Sequence, residues 1–138
     1  MLTKFNIDSI SLLQEYIFKH TGKQIIVRDY ALLDSSINSV FQTFDGKELY
    51  STIEEKGARL GFNIITNHPF FDGNKRVGML AMLCFLEINN VNLKYSNQEL
   101  ITIGLSLASG KTSSKQLVNW VNRHKKTNAA IKEDLPIK

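Results

Sequence analysis

Apolar residues recur at helical spacing through most of this chain, and short polar clusters cut the pattern into six segments. Ile10, Leu13, Tyr16 and Ile17 form the inward face of a first helix, which Asp8 or Ser9 caps and Gly22 ends. Ile25-Ile26-Val27 is a β-branched run compatible with an extended segment. A second helix is predicted from Asp29 to Gln42, with Leu32, Leu33, Ile37, Val40 and Phe41 inward. Asp45-Gly46, between Phe44 and Tyr50, marks a loop or a small hairpin, either a flap over a site or a connector. Ser51-Thr52-Ile53-Glu54 reads as a capping box opening a third helix to about Thr66, where Ile53, Leu60, Ile64, Gly57 and Gly61 suit close packing.

Asn67-His68-Pro69 must stop that helix, because the residue before a proline is pushed out of the α region and proline has no N–H to donate. A fourth helix starts at Asn74 or Lys75. Its Val77, Leu80, Ala81, Cys84, Phe85 and Ile88 share one face, and Met79, Met82, Leu83 and Leu86 fill the others. A helix apolar all round belongs at the centre of a bundle. Ser96 with Glu99 and Ser113 with Gln116 are two further capping boxes, opening a fifth helix from Asn97 to about Ser109, closed by Gly110, and a sixth with Leu117, Val118 and Val121 inward. The expected fold is therefore all-α, a compact six-helix bundle with a central buried helix, formed by a single domain over residues 1–126. Residues 127–138 are expected to be a frayed basic tail.

Composition adds little to the fold but limits the compartment. The longest nearly uncharged stretch, Val77 to Leu86, is far shorter than the roughly 20 residues that cross a bilayer, and the N-terminus lacks the apolar run of a secretory signal. The expected location is the cytoplasm. Cys84 lies among Leu83, Phe85 and Leu86 and is expected to be a small buried hydrophobe. The net charge of +4 is uneven: residues 1–110 hold 10 Lys and Arg against 11 Asp and Glu, and residues 111–138 hold 7 against 2. A basic end of this kind is a solvated face or a site for an acidic partner.

The chemistry concentrates in His68-Pro69-Phe70-Phe71-Asp72-Gly73-Asn74-Lys75-Arg76, at the start of the central helix. A helix N-terminus offers unpaired N–H groups and the positive end of the dipole to an anion, and Gly73 lets the backbone turn there and a ligand approach closely. Lys75 and Arg76 place two cations where they disfavour the helix itself, which argues for an anion between them and the dipole. Asp72 is a hard oxygen ligand suited to Mg²⁺, and His68 is a candidate general base. Phe70 and Phe71 are predicted core anchors, Phe70 in particular holding the loop down. Base, metal ligand and phosphate cradle together describe phosphoryl or nucleotidyl transfer.

These nine residues resemble the signature of the Fic/Doc superfamily, His-x-Phe-x-Asp/Glu-Gly-Asn-x-Arg, and within it the Doc (death-on-curing) branch of toxins. Asn67, the apolar helix that follows, Arg28-Asp29 with Leu32-Leu33-Asp34-Ser35 upstream, and the Gly110 to Trp120 region extend the similarity over about residues 25–122. The resemblance implies that His68 takes a proton from a target hydroxyl, Asp72 holds Mg²⁺, Gly73 and Asn74 line the anion hole, and Arg76 grips the phosphates of ATP. AMP-transferring members usually carry glycine at the position of Lys75 and arginine at that of Met79. Both departures match the Doc branch, which transfers the γ-phosphate, with elongation factor Tu as the family's known target.

Family members are restrained by a helix of pattern Ser/Thr-x-x-x-Glu-Gly/Asn. Ser51 to Glu55 comes nearest but is followed by Lys56 and serves as a helix start, so the resemblance implies a separate antitoxin protein as inhibitor. Two alternatives stand beside γ-phosphate transfer. One is AMP transfer. The other is a non-enzymatic nucleic-acid-binding module using Lys111, Lys115, Arg123, Lys125 and Lys126, although direct nucleic-acid binding is not the expected activity.

Overall fold

A computed structural model describes residues 2–126, and the tail over 127–138 lies outside the described residues. Six α-helices appear in the expected order: α1 (Ile7–Thr21), α2 (Tyr30–Asn38), α3 (Ile53–Asn67), α4 (Asn74–Ile88), α5 (Asn97–Ala108) and α6 (Ser114–Arg123). Two antiparallel strands, β1 (Thr43–Phe44) and β2 (Lys47–Glu48), form a small hairpin between α2 and α3. No helix of the described residues is long and apolar enough to cross a membrane.

Local hydrogen bonding fixes most helix ends. Ser96 with Glu99 and Ser113 with Gln116 form reciprocal capping boxes, as their spacing predicts. Two starts differ from expectation by a residue or more. The first helix is capped by Asn6, whose side chain accepts from Ser9 N while Ser9 Oγ accepts from Asn6 N, so Asp8 lies inside the helix. In α3 the cap is Thr52 rather than Ser51: Thr52 Oγ1 accepts from Glu55 N, and both neighbouring hydroxyls donate to Glu55 Oε1. The predicted second helix also stops early, at Asn38, and tightens into a 3₁₀ turn over Ser39–Phe41.

Helices α3 and α4 share the most extensive packing in the bundle and form its centre together. On one side, α1, α2 and the loops carrying Phe5, Ile25 and Phe70 close a core around Leu60, Ile64, Val77 and Phe85; on the other, α5 and α6 close a second core around Ala58, Ile65, Met82 and Leu86. The α4 helix is thus buried on two faces, in agreement with its all-round apolar sequence, but α3 shares the central position. Amphipathic α3 achieves this because small or uncharged residues, Gly57, Gly61 and Asn63, take its remaining buried positions, with Lys56 buried beside them. The Lys56 ammonium donates to the Tyr50 carbonyl and lies 3.3 Å from Glu48 Oε1, which ties the hairpin to α3.

Gly61 and Gly78 set the closeness of the two central helices. A Cβ on Gly78 would stand 2.6 Å from Ile65 Cγ1 and 3.0 Å from the Gly61 carbonyl oxygen. Gly78→Ala is therefore expected to destabilise the protein by about 1–3 kcal/mol, since overpacking against backbone outweighs the helix propensity gained. At Gly104 the nearest atom to an added Cβ is Met79 Cγ at 3.5 Å, so Gly104→Ala is expected to be neutral or stabilising by up to about 1 kcal/mol. Urea titration of the two variants checks the contrast.

Some helix side chains are less buried than predicted. Tyr16 and Ile88 are about half exposed, and Cys84 is only partly buried. Burial and the nearby Glu87 still push the Cys84 thiol upward, away from a reactive thiolate.

Candidate active site

The Ile25–Val27 run is extended, and its partner is the loop between α3 and α4. Val27 and Phe70 form an antiparallel bridge, Phe71 N donates to the Ile26 carbonyl at 3.1 Å, and Arg28 N and Asp29 N both donate to the Pro69 carbonyl, at 2.7 and 3.1 Å. A connection between two helices of the central pair is thereby held as firmly as a sheet edge.

Within that frame His68 ends α3 in the left-handed conformation, φ 52° and ψ 56°. That region costs an ordinary L-residue roughly 1–2 kcal/mol, and histidine is among the types that enter it more readily. The conformation turns the chain sharply out of α3 into Pro69. The His68 imidazole is exposed, lines a cavity and makes no hydrogen bond with the described residues.

Phe70 is 1% exposed and packs in the first core, whereas its neighbour Phe71 is 70% exposed and lines the cavity. The expectation that both would be core anchors holds only for Phe70, because successive residues of an extended segment point to opposite sides. Asn74 reinforces the anchor: its Oδ1 accepts from Phe70 N and its Nδ2 donates to the Phe70 carbonyl, both at 3.0 Å. The Asn74 side chain is thus committed to the loop, and what it leaves for an anion is its backbone N–H.

Asp72 Oδ1 accepts from Gly73 N at 2.8 Å, and its other carboxylate oxygen has no hydrogen bond with the described residues. Gly73 caps α4 at φ 83°, with no side-chain cap, and a Cβ there would approach Ile25 Cδ1 to 2.7 Å. Glycine is required twice over, by conformation and by space. The N–H groups of Asn74, Lys75 and Arg76 find no acceptor among the described residues, and the exposed Lys75 and Arg76 have no carboxylate within ion-pair distance there. Three free donors, a dipole end equivalent to roughly half a positive charge and two cations converge at one helix start.

His68, Asp72, Gly73, Asn74, Lys75 and Arg76 all line one cavity of about 930 Å³. Phe70 is absent from its lining because it is packed beneath the loop. The opposite walls come from the end of α1, with Tyr16, His20 and Thr21, from Lys23 in the following loop, and from α5, with Leu100, Ile101, Gly104 and Leu105. Sequence reasoning did not anticipate these walls. Ile101 and Leu105, one helical turn apart and both more than half exposed, are the only part of them with a legible signal. The hairpin does not line this cavity, so it stands as a connector between α2 and α3; Tyr50 instead lines a second cavity of about 630 Å³ with Arg59, Ser114 and Lys115.

The donor set suits magnesium bound together with a polyphosphate. Among the described residues no cluster of three or more His, Cys, Asp or Glu could hold a metal by itself. Mg²⁺ needs less than that, one or two carboxylates with phosphate oxygens and waters completing its shell, and Asp72 stands beside the uncapped helix start that would receive the phosphates.

Comparison with known proteins agrees with this arrangement. The Fic/DOC family model matches residues 4–86, which include α1 to α3, the loop and most of α4. Toxin Doc of Mycolicibacterium smegmatis (strain ATCC 700084 / mc(2)155) is 39% identical over 72 residues, covering 52% of this chain and 55% of the relative. The chain therefore spans about half the length of that curated relative. With the family's motif placed at an uncapped helix start and more than half of the sequence within the match, the chain belongs to the Fic/DOC family.

Proposed function

We propose that this protein is a Doc-type toxin that transfers the γ-phosphate of ATP to a hydroxyl of a cytosolic protein, elongation factor Tu being the leading candidate, and so arrests translation. The observation that carries the reading is the gathering of His68, Asp72, Lys75, Arg76 and three unpaired α4 N–H groups around one cavity. Magnesium-bound ATP, when present, supplies the phosphoryl group and the counter-charge for its oxygens. The Lys75 and Arg76 side chains and the N–H groups of Asn74, Lys75 and Arg76 bind and orient the phosphates, and Gly73, whose N–H is engaged by Asp72, lets them approach the backbone closely. Asp72, with one carboxylate oxygen not engaged by Gly73, would hold the Mg²⁺, which would neutralise charge on the phosphate oxygens. His68, whose ring makes no hydrogen bond with the described residues, takes the proton of the target hydroxyl as general base. Phe70 keeps the loop seated while this happens, and residues 1–126 act as one domain.

Phosphate transfer is preferred to AMP transfer because Lys75 and Met79 stand where AMP-transferring relatives usually have glycine and a second arginine. Met79 is apolar, 4% exposed and part of the cavity wall, and so offers no second guanidinium to a nucleotide phosphate. A nucleic-acid module has less support. Lys125, one of its five cations, donates to Glu54 at 2.9 Å, and although burial, the largest single influence, works to raise Glu54, this hydrogen bond, a backbone hydrogen bond and the Lys125 charge together hold the carboxyl below its ordinary range.

An antitoxin partner is part of the same reading. Glu55, the nearest match to an inhibitory glutamate, is occupied by the Ser51 and Thr52 hydroxyls and lines the second cavity rather than the site. The exposed Ile101 and Leu105 on the cavity wall suit the apolar face of a helix supplied by another protein.

Incubation with cell lysate, Mg²⁺ and ATP labelled at either the α or the γ position separates the enzymatic readings. Label from the γ position on a protein of the size of elongation factor Tu is the expected result. Protein labelled only from the α position would replace phosphate transfer by AMP transfer, and no transfer of either label would remove both.

A further inference from the structure

The guanidinium of Arg28 lies 40 residues from His68 in sequence and holds its backbone. Nε and Nη2 both donate to the His68 carbonyl oxygen, at 2.8 and 2.6 Å, and Nη2 also reaches the Asn67 carbonyl at 3.4 Å. An exposed arginine ordinarily seeks a carboxylate, whose two oxygens match its planar fork. Arg28 has no carboxylate within ion-pair distance among the described residues, and its donors converge on the one non-glycine residue of the loop whose backbone is in the left-handed region. The peptide oxygen it grips belongs to His68 itself, so the contact restrains ψ of that residue and with it the direction in which the imidazole leaves the chain.

We infer that Arg28 is a positioning residue for His68, acting through the His68 carbonyl to keep the imidazole aimed into the cavity. The surrounding bonds show why a separate clamp is needed there. Pro69 is held by Arg28 N and Asp29 N, Phe70 by Asn74, and Phe71 by Ile26, so the backbone of each of the next three residues has its own partner. Among the described residues the His68 ring has none, and the carbonyl of His68 has only the Arg28 side chain. Without it, the residue that ends α3 would be fixed only through its neighbours, and its side chain would sample a wider arc at the cavity mouth. The other histidines of the chain are anchored differently: His20 Nδ1 lies 2.9 Å from the Tyr16 carbonyl and His124 Nδ1 2.7 Å from that of Trp120, each one turn back on its own helix.

The inference rests on the reading of His68 as the base, and its test keeps the two apart. The chain has 3 histidines, so histidine-labelled protein gives an NMR spectrum with three imidazoles to follow. In Arg28→Ala the His68 ring signals are expected to shift and broaden, while those of His20 and His124 stay in place. The initial rate of γ-label transfer at saturating ATP is expected to fall on the order of 10–100-fold, the scale of a displaced reacting group. The ATP concentration giving half the maximal rate should change less than about twofold, because the phosphate cradle on α4 is untouched. Arg28→Lys, which offers a point charge instead of a fork, should recover part of the rate and part of the ring signal; if Arg28→Ala does not fold, the lysine variant carries the same comparison against wild type. A folded Arg28 variant with unchanged His68 signals, or with wild-type transfer, overturns the inference. Wild-type transfer by His68→Ala would instead dismiss His68 as the base, and the ring signals of Arg28→Ala would then judge the clamp alone: a shift upholds it and no shift overturns it.

Discussion

Replacing His68 is expected to lower the rate of γ-phosphate transfer by about 10²–10⁴-fold, the contribution typical of a positioned general base, with little change in stability. The His68 ring is exposed and touches no hydrogen-bonding partner among the described residues, so its loss leaves no buried group unsatisfied. The backbone is the one structural concern, because φ of 52° penalises most replacements. His68→Asn addresses it, since asparagine also enters the left-handed region readily yet cannot accept a proton at neutral pH. Both His68→Ala and His68→Asn should abolish growth arrest in cells and label transfer in lysate, while thermal unfolding stays within a few degrees of wild type. Retention of more than about a tenth of the wild-type rate by His68→Asn would exclude general-base catalysis by this residue.

The second large effect is expected from Phe70→Ala, and it falls on stability. Phe70 is among the largest fully buried side chains, and truncating such a ring typically costs about 3–5 kcal/mol. For a chain of this size that corresponds to a fall in Tm on the order of 10–20 °C. Phe70→Leu, which keeps most of the volume, should lose much less. Calorimetry of the two variants checks the difference, and a fall of less than about 5 °C for Phe70→Ala would show that the loop is held mainly by its backbone bonds to Ile26, Arg28, Asp29 and Asn74 rather than by the buried ring. Function should follow stability here. The same side chain that fills the core seats the loop carrying His68 and Asp72, so activity measured below the new Tm should also fall.

These two residues sit close together in the chain and differ completely in environment, and the sequence carried that difference unevenly. The role of Phe70 as an anchor was legible from an aromatic placed between a helix stop and a glycine turn. The opposite orientation of Phe71 was not, because nothing in a pair of adjacent phenylalanines says which of them faces the core. Asn74 shows the same limit. Its residue type and place in the motif suggest an anion-hole lining, whereas its side chain closes two hydrogen bonds with Phe70 and only its N–H remains available. The capping residues were easier to read, and the errors among them are small. Thr52 displaced Ser51, and Asn6 displaced Asp8 or Ser9, because several adjacent hydroxyl, amide and carboxylate side chains could each cap and only the packing of the helix decides which one is in register.

By itself the sequence determined the number of helices, most of their ends, the loop between α3 and α4, and the set of groups that loop presents at an uncapped helix start. All of these depend on interactions within about four residues, such as Ser96 with Glu99, Ser113 with Gln116, Asp72 with Gly73, and Pro69 against the preceding turn. Tertiary structure alone decided that α3 shares the centre with α4 through Gly61 and Gly78, that α1 and α5 supply the far walls of the cavity, and that Ile26, Arg28 and Asp29 hold the loop from 40 residues away. Those contacts join residues distant in the chain. No periodicity records them, because a backbone carbonyl gripped by a remote arginine requires neither residue to differ in type from one exposed to water.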